Sequence, residues 1–519
     1  MTDPLGAGGG AIHSVVVRPP HAAICQSPVH RRSSRHAAIL ALALGLIVSA
    51  PRLGAQATAA EYAGRRAALV SWLPSDGVIV ALGADEPEED YLSFWQRPDF
   101  LYLTGLREPS AAMLLVRQRG RTTTTLFVLP RDPAREVWTG ARLGAAGAAE
   151  RTGEQARTRD ALEPTLDSLL SAGLPLFVAG PLHETWSTAD APTTAEARLV
   201  ARLRARHSGM QVSSVAGAVR RLRGQKSAAE LELLRKAVAL TVDAQRAAIA
   251  AVRPGMNEYE LQALVEYTFR RGGADRPSFA TIIGSGPNAT TLHYNADDRV
   301  MRDGDMVVMD IGASYAGYAA DVTRSVPVNG RFTAEQRAVY QLVRDAQAAA
   351  ERQATVGSTK QELADSAAAV LSRGLARLGL IESADATYDC ASGDGGETER
   401  CPQYRMYYMH GLGHGIGLEV HDPDQYDVER IARGSAFTLE PGIYVRADLL
   451  DVLPDTPRNR ALIARIRPAV ERYRNIGVRI EDDYIVTERG VEWISRAPRE
   501  VEELEAMLAR TRPAGVTIR

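Results

Sequence analysis

Met306-Val307-Val308-Met309-Asp310-Ile311-Gly312-Ala313-Ser314-Tyr315-Ala316-Gly317-Tyr318-Ala319-Ala320-Asp321-Val322-Thr323-Arg324 places one acid on each side of a turn-forming centre. The apolar run that ends at Asp310 reads as a buried strand, and Tyr318 to Val328 reads as its return. Asp310 and Asp321 are equidistant from a turn centred between Tyr315 and Ala316, with Gly312 and Gly317 supplying turn flexibility. In such a hairpin the two acids are expected to face each other across paired strands. Two buried carboxylates that close repel, and a metal ion removes that cost. The alternative is a solvent-exposed pair on the hairpin's polar face; the apolar residues before Asp310 argue against it.

Three further segments extend the pattern. His410-Gly411-Leu412-Gly413-His414-Gly415-Ile416-Gly417 concentrates histidine and glycine, and His421 follows closely. Its glycines strip bulk from the segment, so backbone can approach a metal or substrate. Glu440-Pro441-Gly442 ends a strand-like stretch with an acid. Arg479-Ile480-Glu481 puts Arg479 and Glu481 on one strand face, where Arg479 can hold a ligand carboxylate from behind. Taken singly, each acid reads as structural. Together, Asp310, Asp321, His414, Glu440 and Glu481 make an oxygen-rich set that suits two divalent ions better than a thiolate-bound zinc.

The bulk properties bound the rest. The chain has 519 residues, 45% of them apolar, and a formal net charge of −2, which gives no sign of nucleic-acid binding. Arg31, Arg32 and Arg35 precede an apolar run from Ala37 to Ala50, and Ala55-Gln56-Ala57 offers a small-x-small cleavage site. The run is about 14 residues, short of the roughly 20 a membrane span needs. An exported, periplasmic or secreted protein with no stable span after cleavage is therefore expected; an uncleaved signal anchor is the alternative. Cys25 would leave with the signal, and Cys390 and Cys401 would remain to pair across a polar, Gly-rich insert.

Residues 1–57 are read as signal and leader, 58–222 as an α/β domain, 223–500 as a second domain and 501–519 as a tail. Val78 to Leu82, Ala112 to Val116 and Thr125 to Leu129 are expected as buried strands, and Ala195 to His207 as a helix. In the second domain Ser227/Glu230, Asn257/Glu260, Thr333/Gln336 and Ser358/Gln361 mark four helix starts. Strand-like segments lie at Ala280 to Gly284, Met306 to Gly312, Tyr318 to Val328, Phe437 to Tyr444 and Gly477 to Val486. Helix pairs flanking two strand groups predict an α+β domain with one curved antiparallel sheet.

From about Lys226 to Ser495 the chain resembles the metallopeptidase family of aminopeptidase P, prolidase and methionine aminopeptidase, with the pita-bread fold. Asp310, Asp321, His414, Glu440 and Glu481 fall on that family's five dinuclear metal ligands. His293, His410 and His421 match its active-site histidines, and Arg479 its supporting arginine. Arg97 to Gly105 and Glu136 to Gly140 look like the creatinase-type N-terminal domain of aminopeptidase P and prolidase. The resemblance implies removal of an N-terminal residue from peptides with proline second. It further implies two Mn2+ ions (Zn2+ or Co2+ as alternatives), Glu440 handling the proton, and self-association into a homo-oligomer. Prolidase activity on dipeptides and a non-catalytic peptide-binding module are the rival readings. The stretch from Arg446 to Asn475 is longer than in compact members.

Overall fold

The computed structural model describes residues 57–182, 194–391, 398–424 and 430–510. The expected signal segment, the Gly-rich core of the cysteine insert and the last nine residues lie outside them.

The first half is built on a six-stranded mixed sheet of order β4-β3-β2-β1-β5-β6. Its strands are β1 Gly77–Leu82, β2 Ala112–Gln118, β3 Arg121–Val128, β4 Gln155–Thr158, β5 Leu176–Val178 and β6 Val212–Ser214. Side chains alternate across a strand, so a strand covered on both sides reads as unbroken apolar sequence. Val78, Val80 and Leu82 accordingly join one core with Leu162, Leu166, Leu199 and Leu203. Ile79 and Ala81 join the other, with Leu69, Phe100, Leu103 and Val219. The expected helix from Ala195 is present as Ala195–Arg206, capped by Thr194. The short strands β4, β5 and β6 carry too few residues to show a period in the sequence.

The second half carries two helix pairs around broken antiparallel ladders. Helices Ala228–Ala251, Glu258–Arg271 and Ala334–Gln353 start at the expected capping boxes, each with both reciprocal hydrogen bonds formed. The fourth helix, Lys360–Arg377, is capped one residue later than expected, by Thr359 and Glu362 rather than Ser358 and Gln361. Ser358 instead donates its hydroxyl to the Gln353 carbonyl and closes the preceding turn. Residues 501–510, read as the start of a tail, form a helix that sends Val501, Leu504 and Leu508 into the main core.

The strands follow as β7 Arg276–Pro277, β8 Ile282–Ser285, β9 Met306–Ile311, β10 Ala313–Tyr315, β11 Tyr318–Ala319 and β12 Val322–Pro327. Then come β13 Thr387–Cys390, β14 Glu399–Pro402, β15 Ala436–Leu439, β16 Gly442–Tyr444, β17 Gly477–Arg479, β18 Asp482–Thr487 and β19 Gly490–Trp493. The curved sheet is thus a set of short ladders: β12-β9-β8, β11-β10-β7, β15-β18-β19 and β16-β17. Side chains join them at the seams. Ser325 on β12 donates to the Arg479 carbonyl on β17 and accepts from the Arg479 amide.

Cys390 and Cys401 form a disulfide across the β13–β14 hairpin. The Arg446 to Asn475 stretch holds a helix absent from the sequence reading, Pro457–Tyr473, with Leu462, Ile466 and Val470 buried. Its Asn459 exchanges hydrogen bonds with the Asp389 backbone, at 2.8 and 3.0 Å. The helix and the disulfide hairpin therefore brace each other.

The two halves meet at a buried cation pair on the linker. Arg223 donates to Asp99 of the first half and to Glu419 of the second, each at 2.6 Å, and also to Asp422. Lys226 donates to Asp424 and to the Pro423 carbonyl, and sits 3.3 Å from Asp422. Removing one member of a buried ion pair strands its partners and costs about 3–5 kcal/mol. Lys226→Met should lower the urea-unfolding free energy by about that amount.

Candidate active site

The hairpin that brings the acids together pairs differently from the sequence expectation. Ser314 faces Ala319 and Tyr315 faces Tyr318, so the turn is centred between Ala316 and Gly317. Both turn residues have positive φ, 52° and 91°, the primed turn that matches strand twist. Moving the centre by one residue moves the pairing by two: Asp310 faces Thr323, and Asp321 precedes β12. The acids are then diagonal neighbours on one face rather than directly opposite. Gly312 makes this possible, because a Cβ there would lie 1.9 Å from the Ala320 carbonyl oxygen.

A second pair of acids arises where two ladders break together. Leu439 faces Asp482 on one side of the gap and Gly442 faces Arg479 on the other. Continuing that register puts Glu440 opposite Glu481. Pro441 has no N–H to give, so the ladder cannot run through the gap, and both acids sit at the interruption. The His414 segment lies alongside β15: Thr438 donates to the His414 carbonyl at 2.9 Å, and Glu440 to that of Leu412 at 2.7 Å. Gly413 is required by this contact, since a Cβ would meet the Thr438 carbonyl at 2.0 Å. That glycine lets strand meet backbone, not backbone meet metal as the sequence suggested.

The result is one cluster. Ligand atoms of Asp321, His414 and Glu481 lie within 4.8 Å of one another. His414 Nε2 is 3.5 Å from Asp321, 3.7 Å from Glu440 and 3.9 Å from Glu481. Asp310 is held from behind by Arg479 Nη2 at 2.5 Å. Arg479 also donates to Tyr444 and to the Leu292 carbonyl, and Thr323 donates to Glu481 at 2.7 Å. Four carboxylates thus face one guanidinium. Burial and the neighbouring carboxylates hold Asp321 well above the usual range and push Glu440 up to about 8; Glu481 is raised the same way. Asp310 Oδ1, Asp321 Oδ1 and Glu481 Oε1 are buried and accept no hydrogen bond. Oxygens left bare at such a cost fit a cation.

The matched histidines divide. His421 is exposed, and its ring centroid lies 4.0 Å from that of His414. His293 is exposed on the segment that Arg479 tethers through Leu292. His410 is engaged at both nitrogens. The Gly411 carbonyl can only accept, so Nδ1 donates to it at 2.8 Å, and Nε2 takes the Tyr444 hydroxyl at 2.9 Å. Burial, then Arg479, depresses its pKa to about 3, so the ring is neutral. Both ring nitrogens of His410 are thus engaged within the protein. Tyr444, Thr323 and the buried Asp483, which accepts from the Asp321 amide, were not singled out in the sequence. Only their spacing from Asp321, Glu440 and Glu481 along the chain marks them.

Residues 232–488 match the metallopeptidase family M24, and residues 62–175 match the aminopeptidase P N-terminal domain. The chain is 32% identical over 470 residues to the Xaa-Pro aminopeptidase of Escherichia coli K12, covering 87% of this chain and 98% of that one. It is 36% identical over 307 residues to the Xaa-Pro dipeptidase of Homo sapiens, covering 55% and 60%. The solved structure of E. coli aminopeptidase P with the inhibitor Pro-Leu superposes with a TM-score of 0.72 at 30% identity, covering 88% and 99%. A pita-bread half behind an aminopeptidase P-type α/β half, with acids and an imidazole gathered where its ladders break, makes this chain a member of the M24 metallopeptidases.

Proposed function

We propose that the chain is a metal-dependent Xaa-Pro aminopeptidase, releasing the N-terminal residue from peptides with proline in second position. The cluster of bare buried oxygens around His414 carries this reading, supported by the likeness to aminopeptidase P along both halves. Asp310, Asp321, His414, Glu440 and Glu481 would hold two divalent ions, with Mn2+ the expected pair and Zn2+ or Co2+ the alternatives. When bound, such a pair supplies Lewis acidity and a nucleophilic water at neutral pH. Glu440 would handle the proton during attack, in addition to ligating metal. His421, exposed beside His414, would donate to the substrate carbonyl. His293 would position the scissile peptide. His410 acts through Tyr444, which shares its hydroxyl with Arg479.

The domain limits are proposed as 58–222 for the N-terminal domain and, for the catalytic domain, from 223 through the helix Val501–Arg510 that packs into its core. Export to the periplasm or beyond is proposed from the Arg-flanked apolar run and the Ala55-Gln56-Ala57 site; the Cys390–Cys401 disulfide supports it. Among the described residues no helix is long and apolar enough to cross a membrane. Self-association is proposed by family analogy alone. A dipeptidase is the second reading, since the human dipeptidase is 36% identical over 307 residues.

His414→Ala or Glu440→Ala should lower kcat/KM on Arg-Pro-Pro by more than about 100-fold with folding intact by circular dichroism. Cleavage near the wild-type rate by either variant would refute the assigned roles. Rapid cleavage of Ala-Pro beside an inert Arg-Pro-Pro would favour the dipeptidase.

Metal removal should make stability pH-dependent. A carboxyl whose folded pKa is raised binds more protons folded than unfolded, so its destabilising effect grows as pH rises from the unfolded pKa toward the folded one. With Glu440 pushed up to about 8, metal-stripped protein should lose Tm steadily from about pH 5 to about pH 8. Added Mn2+ should raise Tm more at the upper end, because the ligands must be deprotonated to bind it. A metal-stripped Tm that climbs over this range would contradict the clustering of buried acids.

A further inference from the structure

Beside the acid cluster the two halves enclose a groove of about 390 Å3. We infer that Arg276 and Trp95, on opposite walls of this groove, form a subsite that binds a carboxylate of the peptide substrate. The inference rests on the aminopeptidase reading above.

The groove leads to the cluster along both walls. Arg276 opens β7, and Ser278, two residues on, donates its hydroxyl at 2.8 Å to the Ala320 carbonyl, the peptide bond that leads into Asp321. On the facing side Val420 lines the groove and immediately precedes His421, whose ring packs on His414. A peptide seated at the cluster therefore has this groove as a neighbour.

The groove has one cation outside any ion pair among the described residues, Arg276, with the Asp275 charge bearing on it. Its other arginine, Arg107, pairs with Asp275 at 3.1 Å, and Asp275 also accepts from the Gly317 amide. Its second acid, Glu419, is taken by Arg223. Among the described residues Arg276 forms no ion pair and no side-chain hydrogen bond; its guanidinium carbon lies 4.5 Å from the Trp95 ring centroid. Trp95 is fixed by its neighbour Gln96, which accepts from the Ala84 amide and donates to the Glu108 carbonyl. A guanidinium laid on an indole face keeps its edge N–H groups for a planar, two-oxygen acceptor. A peptide offers that group in two places, the side chain of an N-terminal Asp or Glu and the free C-terminus of a short substrate. Placing it here would favour one substrate over its amide by about fivefold, the scale of a half-exposed charge pair.

The test compares wild type, Arg276→Gln and Arg276→Lys on Glu-Pro-Leu, Gln-Pro-Leu and Gln-Pro-Leu amide. Wild type should show a KM lower by about fivefold for one carboxylate-bearing peptide of a matched pair, with kcat little changed. Arg276→Gln should erase that preference, Arg276→Lys should restore part of it, and Trp95→Ala should weaken it. Loss of the Glu-over-Gln preference identifies the N-terminal side chain; loss of the acid-over-amide preference identifies the C-terminus. Equal KM values within both pairs in wild type, or a preference that survives Arg276→Gln, overturns the subsite. If wild type cleaves none of the three, the enzymatic reading fails instead. Calorimetric binding of the same peptides to wild type and Arg276→Gln then decides the subsite on its own.

Discussion

Mutual repulsion among buried carboxylates governs this protein. Asp310, Asp321, Glu440 and Glu481 are held together with Arg479 as the one cation in direct contact among the described residues. A protein interior does not tolerate that arrangement for its own sake. The fold accepts it because each acid is anchored by backbone it cannot escape. Asp310 lies in the central strand of a three-stranded ladder, Asp321 at the edge of a tight hairpin, and Glu440 and Glu481 face each other in a gap that Pro441 keeps open. Thr323 and Arg479, the latter held by the Tyr444 hydroxyl, then orient Glu481 and Asp310 from behind. Cations arriving from solvent complete a site that the polypeptide leaves strained in charge.

Local signals were legible wherever neighbours in sequence are neighbours in space. Three of four capping boxes formed as read, because the reciprocal bonds involve residues three apart. The fourth slipped by one residue because Thr359 with Glu362 offers the same chemistry as Ser358 with Gln361. The hairpin was read in the right place with the wrong register. Ala316-Gly317 forms the turn, and an alanine at positive φ is not a residue that announces one. The acids still shared a face, because a shift of two preserves the alternation of sides.

What the sequence hid was set by distance along the chain. Arg223 reaches Asp99 and Asp422 across more than a hundred residues in each direction. No local pattern encodes such a contact. The engagement of His410 by Tyr444 is hidden for the same reason, and it changes the role that motif matching alone would give the histidine. The helix at Pro457–Tyr473 was concealed differently: its many arginines and internal Pro468 mask the apolar stripe of Leu462, Ile466 and Val470.

The linker clamp has a mechanical consequence. Arg223 and Lys226 stand where a two-domain protein would ordinarily place its hinge, and both are buried against acids from the His421 segment. Swinging the halves apart would leave two cations and several carboxylates without counter-charges in a poorly hydrated seam. The seam therefore resists a clamshell opening, and charge as well as packing fixes how the two halves meet.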